Sequence, residues 1–213
     1  MDIIVKNLCK TYDRNQVLDH FSCTFREKKM TCIMGKSGIG KSTLLSILMG
    51  LEKADEGTVS GMEHQKISAI FQENRLFENL DAVTNIHITT GKTKEEITGF
   101  LKKMELDDIA GKPVSEYSGG MKRRVAIARA LLAEYDILIM DEPTAGLDPR
   151  TRVEFKEILK DLKDQKKTVF ISSHILSELS EVCTDIGIID EGKIVLEAPT
   201  DDILNQINVS RQL

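Results

Sequence analysis

The sequence GKSGIGKST occupies Gly35 to Thr43, between the apolar run Met30 to Met34 and a pattern of leucines at helical spacing that starts after Lys41. Few folds admit a strand, a glycine-rich turn and a helix in that order. The glycines let successive backbone N–H groups converge, and the helix N-terminus adds positive potential to the same point. Lys41 and Ser42 bring an ammonium and a hydroxyl there. A turn that merely caps a helix is the bland alternative, but the GxxxxGK[ST] spacing in this setting defines a phosphate-binding loop. Gly35, Lys36, Ser37, Gly38, Ile39, Gly40, Lys41, Ser42 and Thr43 are therefore the candidate nucleotide contacts. Lys41 is expected to face solvent when no nucleotide is bound and to reach the β- and γ-phosphates when one is, and Ser42 to ligate magnesium. The loop alone does not say which nucleotide enzyme carries it.

Around this loop, Ile3 to Leu8 and Val17 to Phe25 read as an antiparallel pair about the turn at Asp13, Arg14 and Asn15. Ile67 to Phe71 is a further short strand. Leu80 to Thr90, Thr93 to Met104 and Gly119 to Leu132 read as helices, so Asn74 to Glu134 is expected to be an inserted helical lobe. The remainder alternates strands and helices: strands at Ile137 to Met140, Thr168 to Ser172 and Ile186 to Ile189, helices at Pro149 to Gln165 and Ile175 to Cys183. A turn at Glu191 and Gly192 leads into Lys193 to Glu197, and Thr200 to Ile207 reads as a last short helix with no room after it for an appended domain. Apolar strands interleaved with helices predict an α/β fold: a mainly parallel sheet with an N-terminal antiparallel β subdomain and the helical lobe inserted.

Composition narrows the function. The 213 residues carry a net charge of −5 with both signs intermixed, which offers no broad basic surface of the kind a long nucleic acid needs. No stretch is long and apolar enough for a membrane helix, and the N-terminus does not read as a signal peptide, so a cytoplasmic location is expected and any membrane role must come through a partner. Cys9, Cys23, Cys32 and Cys183 show no CxxC spacing and no nearby histidine in the sequence. They are expected to be small buried thiols rather than a zinc site or a disulfide framework.

ILIMDE, Ile137 to Glu142, is an apolar strand that ends in two acids, where a parallel sheet presents its ligand-binding edge. Asp141 is placed to hold magnesium through water and Glu142 to take a proton from attacking water. An ordinary solvated turn before Pro143 would also use two acids, and the phosphate loop on the same sheet favours the chemical reading.

YSGGM at Tyr117 to Met121, followed by KRRVAIARALL, closely resembles the signature helix of ABC-type ATPases. Gln72 in IFQE, AGLD at Ala145 to Asp148, and His174 in ISSH match further motifs of that family in the family's order, over nearly the whole chain. The resemblance implies a P-loop NTPase core of 1–73 and 135–213 with a lobe of 74–134, together one ATPase domain. It implies ATP and Mg²⁺ as ligands, and two cassettes closing head to tail, as a homodimer or a paired cassette. Tyr12 would stack on adenine, and Gln72 would sense magnesium and attacking water. Ser118, Gly119 and Gly120 would meet the γ-phosphate bound by the opposite subunit, Asp148 would communicate across the interface, and His174 would contact the γ-phosphate. Tyr12 as a strand-end aromatic and Gln72 as a solvated hinge remain the simpler readings of those two residues. The family's work implies a separate transmembrane permease as partner and a peripheral position on the inner face of the membrane.

Tyr117 and Met121 replace the leucine and glutamine commonest at the ends of the signature motif, while its Ser-Gly-Gly core is intact. FQENRLFENLDAVTNI is similar to the cassettes of nitrate, sulfonate and taurine uptake systems, whereas SSHILSELSEVCTDIGIIDEGKIV is similar to those of drug or small-molecule exporters. The two halves point to different substrates and directions. Leu76, Phe77 and Leu80, in an otherwise polar stretch, fit either a permease contact or the lobe's own core.

Overall fold

The structure, a computed structural model, describes residues 1–175, 179–203 and 205. β1 (Ile3–Tyr12) and β2 (Asn15–Phe25) form the antiparallel hairpin, longer than the sequence predicts because the turn needs only Asp13, with φ 53°, and Arg14. β3 (Met30–Met34) runs into the phosphate loop and α1 (Lys41–Leu48). β4 (Glu56–Ser60) then returns to pair with β1, completing a three-stranded sheet in the order β2-β1-β4. The sequence reading has no strand at β4: EGTVS is polar, and the strand is held by backbone pairing at an edge rather than by a buried face.

β5 (Ile67–Ile70) precedes α2 (Ala82–Thr90), α3 (Lys94–Lys103) and α4 (Gly119–Leu132). The chain continues with β6 (Ile137–Asp141), α5 (Pro149–Asp164), β7 (Thr168–Ser173), β8 (Asp185–Asp190) and β9 (Lys193–Pro199). Of the predicted helix Ile175 to Cys183, residues 176–178 lie outside the described residues, and the described remainder is helical at Leu179 and then turns. The last helix begins at Thr200 as expected, and its residues 204, 206 and 207 lie outside the described residues.

The second sheet has the order β5-β6-β7-β3-β8-β9, parallel except for the β8–β9 hairpin. Period-2 alternation sends its side chains to two cores. Leu138 and Met140 of β6 and Val169 and Ile171 of β7 join a core shared with α5 and the helical lobe. Ile137, Ile139 and Phe170 point the other way, onto Leu44, Leu45 and Leu48 of α1 and the three-stranded sheet. Ile86, Ile97, Leu101 and Val125 of the lobe belong to the same core as the sheet, so the lobe is packed onto it rather than separately cored.

α2, α3, α4 and α5 open on Asp81, Thr93, Ser118 and Asp148, whose side chains accept backbone N–H bonds from the first turn. α1 differs, because Gly40 stands at its start with no side-chain cap. The first-turn N–H groups of α1 are thus left for another acceptor.

Candidate nucleotide site

In a parallel sheet the carboxyl ends of adjacent strands meet along one edge, and here that edge collects the motifs. Met140 lies beside Ile70, Asp141 beside Ser172, and Met34 beside Ser173. The residues that follow, Phe71 and Gln72 after β5, Glu142 after β6, His174 after β7 and Gly35 after β3, are therefore brought together by register.

A cleft of about 410 Å³ opens at this edge, lined by Ser37, Gly38, Gly40, Lys41, Ser42, Thr43, Gln72, Glu142, Ala145 and His174. That volume lies within the range of small-molecule sites. The loop around it depends on glycine. Gly40 has φ 110°, and a Cβ there would stand 2.5 Å from the Val17 carbonyl, so no L-residue fits without moving the β2 backbone. Gly35 and Lys36 line an adjoining hollow with Met34 and Ile188. Ile39 turns inward to pack with the core beneath α1.

Lys41 corrects one expectation. The sequence reading puts this side chain in solvent when no nucleotide is bound, but it is only 5% exposed. Its Nζ donates to the carbonyls of Gly35 at 2.8 Å and Lys36 at 3.0 Å and stands 3.4 Å from Glu142 Oε1. The ammonium thus holds the loop in its curved form by capping its carbonyls. A phosphate arriving in the cleft meets a charge already positioned, which limits reorganisation on binding.

The two acids have separate surroundings. Asp141 is buried, and Ser172 donates its hydroxyl to Oδ1 at 2.6 Å. The same Ser172 oxygen accepts the Glu142 N–H at 2.9 Å. Glu142 adopts φ 46°, an uncommon left-handed conformation for a side chain of this size. This turn swings its carboxylate away from Asp141 and over the cleft, where Oε2 meets His174 Nδ1 at 2.9 Å. A carboxylate between an ammonium and an imidazole can accept a proton from a bound water while the ammonium balances charge developing on a phosphoryl group.

Other predicted residues lie apart. Tyr12 is exposed at the tip of the β1–β2 hairpin with the Lys10 ammonium 5.2 Å from its ring centroid, and it does not line the cleft. Ser118, Gly119 and Gly120 stand on the surface at the start of α4, also outside the lining, where Ser118 accepts the Met121 N–H at 3.2 Å. Asp148 caps α5 through the Thr151 N–H at 3.0 Å and hydroxyl at 2.7 Å, with Arg124 at 3.4 Å. The Thr151 N–H above all, then its hydroxyl and Arg124, hold the Asp148 carboxyl down at about 2. All four cysteines are buried and free, as expected. The structure does bring a histidine to one of them. Cys9, Asp19 and His20 offer donor atoms within 4.8 Å of one another, although Asp19 is already paired with Lys193 at 2.8 Å.

Ser172 is a part of this edge that the sequence reading does not single out, whereas Ala145 opens the AGLD motif that it does. Ser172 had a signal: it is a hydroxyl ending the apolar run Val169 to Ile171, on the strand that neighbours Asp141.

Fold and site together define a P-loop nucleotide hydrolase of the ATP-binding-cassette class. Residues 18–145 match the protein-family model described as ABC transporter, and the chain belongs to that family; it is an ATP-binding, ATP-hydrolysing cassette. It is 37% identical over 207 residues to the lantibiotic transport ATP-binding protein SrtF of Streptococcus pyogenes, covering 92% of this chain and 90% of that protein. It is 38% identical over 199 residues to the aliphatic sulfonates import ATP-binding protein SsuB 1 of Agrobacterium fabrum, covering 90% of this chain and 72% of that protein. Among solved structures, the dimeric post-hydrolysis state of the ATP-binding cassette MJ0796 bound to ADP and Pi superposes with a TM-score of 0.83 at 28% identity, covering 93% of this chain and 98% of that one.

Proposed function

We propose that this cassette powers transport of a substrate through a separate transmembrane permease, held as a peripheral subunit on the cytoplasmic face of the membrane. The convergence of Lys41, Glu142 and His174 on one cleft of about 410 Å³ is the observation that carries the reading. ATP lies with its phosphates along the Gly35–Thr43 loop and its adenine against Tyr12. Glu142 takes the proton of the attacking water, Gln72 orients that water, and His174 and Lys41 balance charge on the γ-phosphoryl group.

Ser42, Asp141 and Gln72 offer a set of hard oxygen donors, the kind that suits Mg²⁺. When bound there, Mg²⁺ would neutralise phosphate charge. Its fit rests on Ser42 and Gln72, which line the cleft; Asp141, a buried carboxylate that accepts the Ser172 hydroxyl, stands outside that lining.

The site is open where a second cassette would close it. Ser118 and Gly119 are exposed and Gly120 is half-buried at the start of a helix, where N–H groups suit an anionic oxygen of a nucleotide held by the opposite subunit. The pairing is head to tail, with Asp148 at the seam. Residues 1–73 and 135–213 act as the nucleotide-binding core and 74–134 as the helical lobe. The exposed Phe77, with Leu51, Met49 and Phe71 in a hollow beside Gln72, is the proposed seat of the permease. Among the described residues, no helix is long and apolar enough to cross a membrane. The relatives include both a lantibiotic transport protein and a sulfonate import protein, so the choice of substrate is assigned to the permease.

Copurification after co-expression with a candidate permease, followed by cysteine cross-linking from Phe77→Cys, tests this reading. Cross-links from the Phe77 face to the permease are expected. A stable soluble partner in place of a permease, or cross-links from the opposite face alone, would overturn it.

A further inference from the structure

Arg123 lies on α4, one turn beyond Ser118, and is 2% exposed. Its planar fork of donors is spent on backbone carbonyls from two segments far apart in sequence. Nη1 donates to Phe71 and, at 3.4 Å, to Gln72. Nε donates to Pro143 at 3.1 Å, while Nη2 donates to Glu142 at 2.8 Å and Asp141 at 3.4 Å. Burial pushes the guanidinium down to about 10, partly offset by the Asp141 charge. A buried cation held mainly by carbonyl dipoles is costly to desolvate, which makes its placement informative.

The carbonyls concerned belong to the two segments that carry Gln72 and Glu142. Glu142 has the left-handed φ of 46°, and its two backbone groups are pinned from opposite sides, the carbonyl by Arg123 and the N–H by Ser172. A second arginine of α4, Arg129, donates to Arg75 and, at 3.0 Å, to Asn74. The segment of Gln72 is thus tied to α4 on both of its sides, and Arg123 also joins it to the segment of the acids.

We propose that Arg123 is a positioning residue that sets Gln72 and Glu142 relative to each other and fastens both to the helix opened by Ser118, Gly119 and Gly120. A shift of α4, such as engagement of its N-terminus by a nucleotide on the opposite subunit, then moves the two side chains as one unit. Lysine has a single donor centre where arginine has a fork, so it keeps the charge but cannot span both segments. The proposal rests on the reading that Gln72 and Glu142 act on the attacking water.

Arg123→Lys and Arg123→Gln are compared with wild type by steady-state ATPase assay, calorimetric ATP binding and hydrogen exchange. Misplacement of a reacting group by about 1 Å costs about 10²-fold, so kcat is expected to fall by that order in Arg123→Lys, with ATP affinity within about threefold of wild type. Exchange should rise together in 71–75 and 141–145. A folded Arg123→Lys with wild-type kcat, or exchange rising in one segment without the other, overturns the proposal. So does a lysine variant that does not fold, because Arg123 would then be a core support only. Glu142→Gln in the Arg123 background separates the two ideas: normal hydrolysis there refutes the role of Glu142, while the exchange data still report on Arg123.

Discussion

Replacing Lys41 by methionine keeps the buried stem and removes the ammonium. At about 4 Å from a phosphate oxygen and an effective dielectric constant of about 20, one unit charge contributes about 4 kcal/mol. Lost wholly from the transition state, that corresponds to a fall in kcat of about 10³-fold. The structure adds a second effect, because the same Nζ donates to the Gly35 and Lys36 carbonyls at 2.8 and 3.0 Å. Bonds from a charged donor contribute about 1.5–3 kcal/mol each, and relief from burying the ammonium offsets part of their loss. A net loss of about 1–3 kcal/mol lowers Tm by roughly 2–12 °C for a domain of this size. Both effects are read on one preparation, by phosphate release at saturating ATP and by thermal melting without nucleotide. Near-normal turnover would show that the cation is not at the phosphates. An unchanged Tm would show that its bonds to the loop do not contribute in the nucleotide-free protein.

Ser172→Ala leaves the Glu142 N–H and one Asp141 oxygen without their shared partner, so kcat should fall about 10-fold to 10²-fold in an ATPase assay, with a loss of about 2 kcal/mol in urea unfolding. Wild-type turnover in Ser172→Ala would dismiss that link. Asp148 has a folded-state pKa held down at about 2 by the Thr151 N–H, so its contribution to stability is complete above its unfolded value of about 4 and is lost as pH falls through about 2. Asp148→Asn keeps an acceptor for the helix cap but does not titrate, and its acid unfolding curve should be flatter over that window; identical curves would contradict the assignment.

The parallel sheet was legible because its strands are nearly pure apolar runs bounded by turn residues, as Ile137 to Met140 and Thr168 to Ile171 show. The phosphate loop was legible because its glycines are demanded by backbone geometry, as the close approach of Val17 to Gly40 makes concrete. β4 was not, since an edge strand paired through its backbone needs no apolar pattern. Neither was the burial of Lys41, which depends on carbonyls curling around the ammonium in three dimensions. Arg123 sits in the charged run KRR, whose residues read alike, and only the packing of α4 against the strand ends separates it from its neighbours. The residues expected to meet a second subunit, Ser118 to Gly120, lie on the surface of the single chain, because their proposed chemistry belongs to a pair.

Glu142→Gln tests the central claim most directly, since it keeps the shape of the side chain held by His174 and removes the base. Light scattering and phosphate release are measured together with ATP and magnesium, and again with ADP. An uncleaved nucleotide shared between two subunits should link them by mass action. The variant is expected to bind ATP, release almost no phosphate, and become a dimer with ATP while remaining a monomer with ADP. A variant that binds ATP tightly yet stays monomeric at high concentration would contradict the shared site, and one that hydrolyses ATP at the wild-type rate would remove Glu142 from the chemistry.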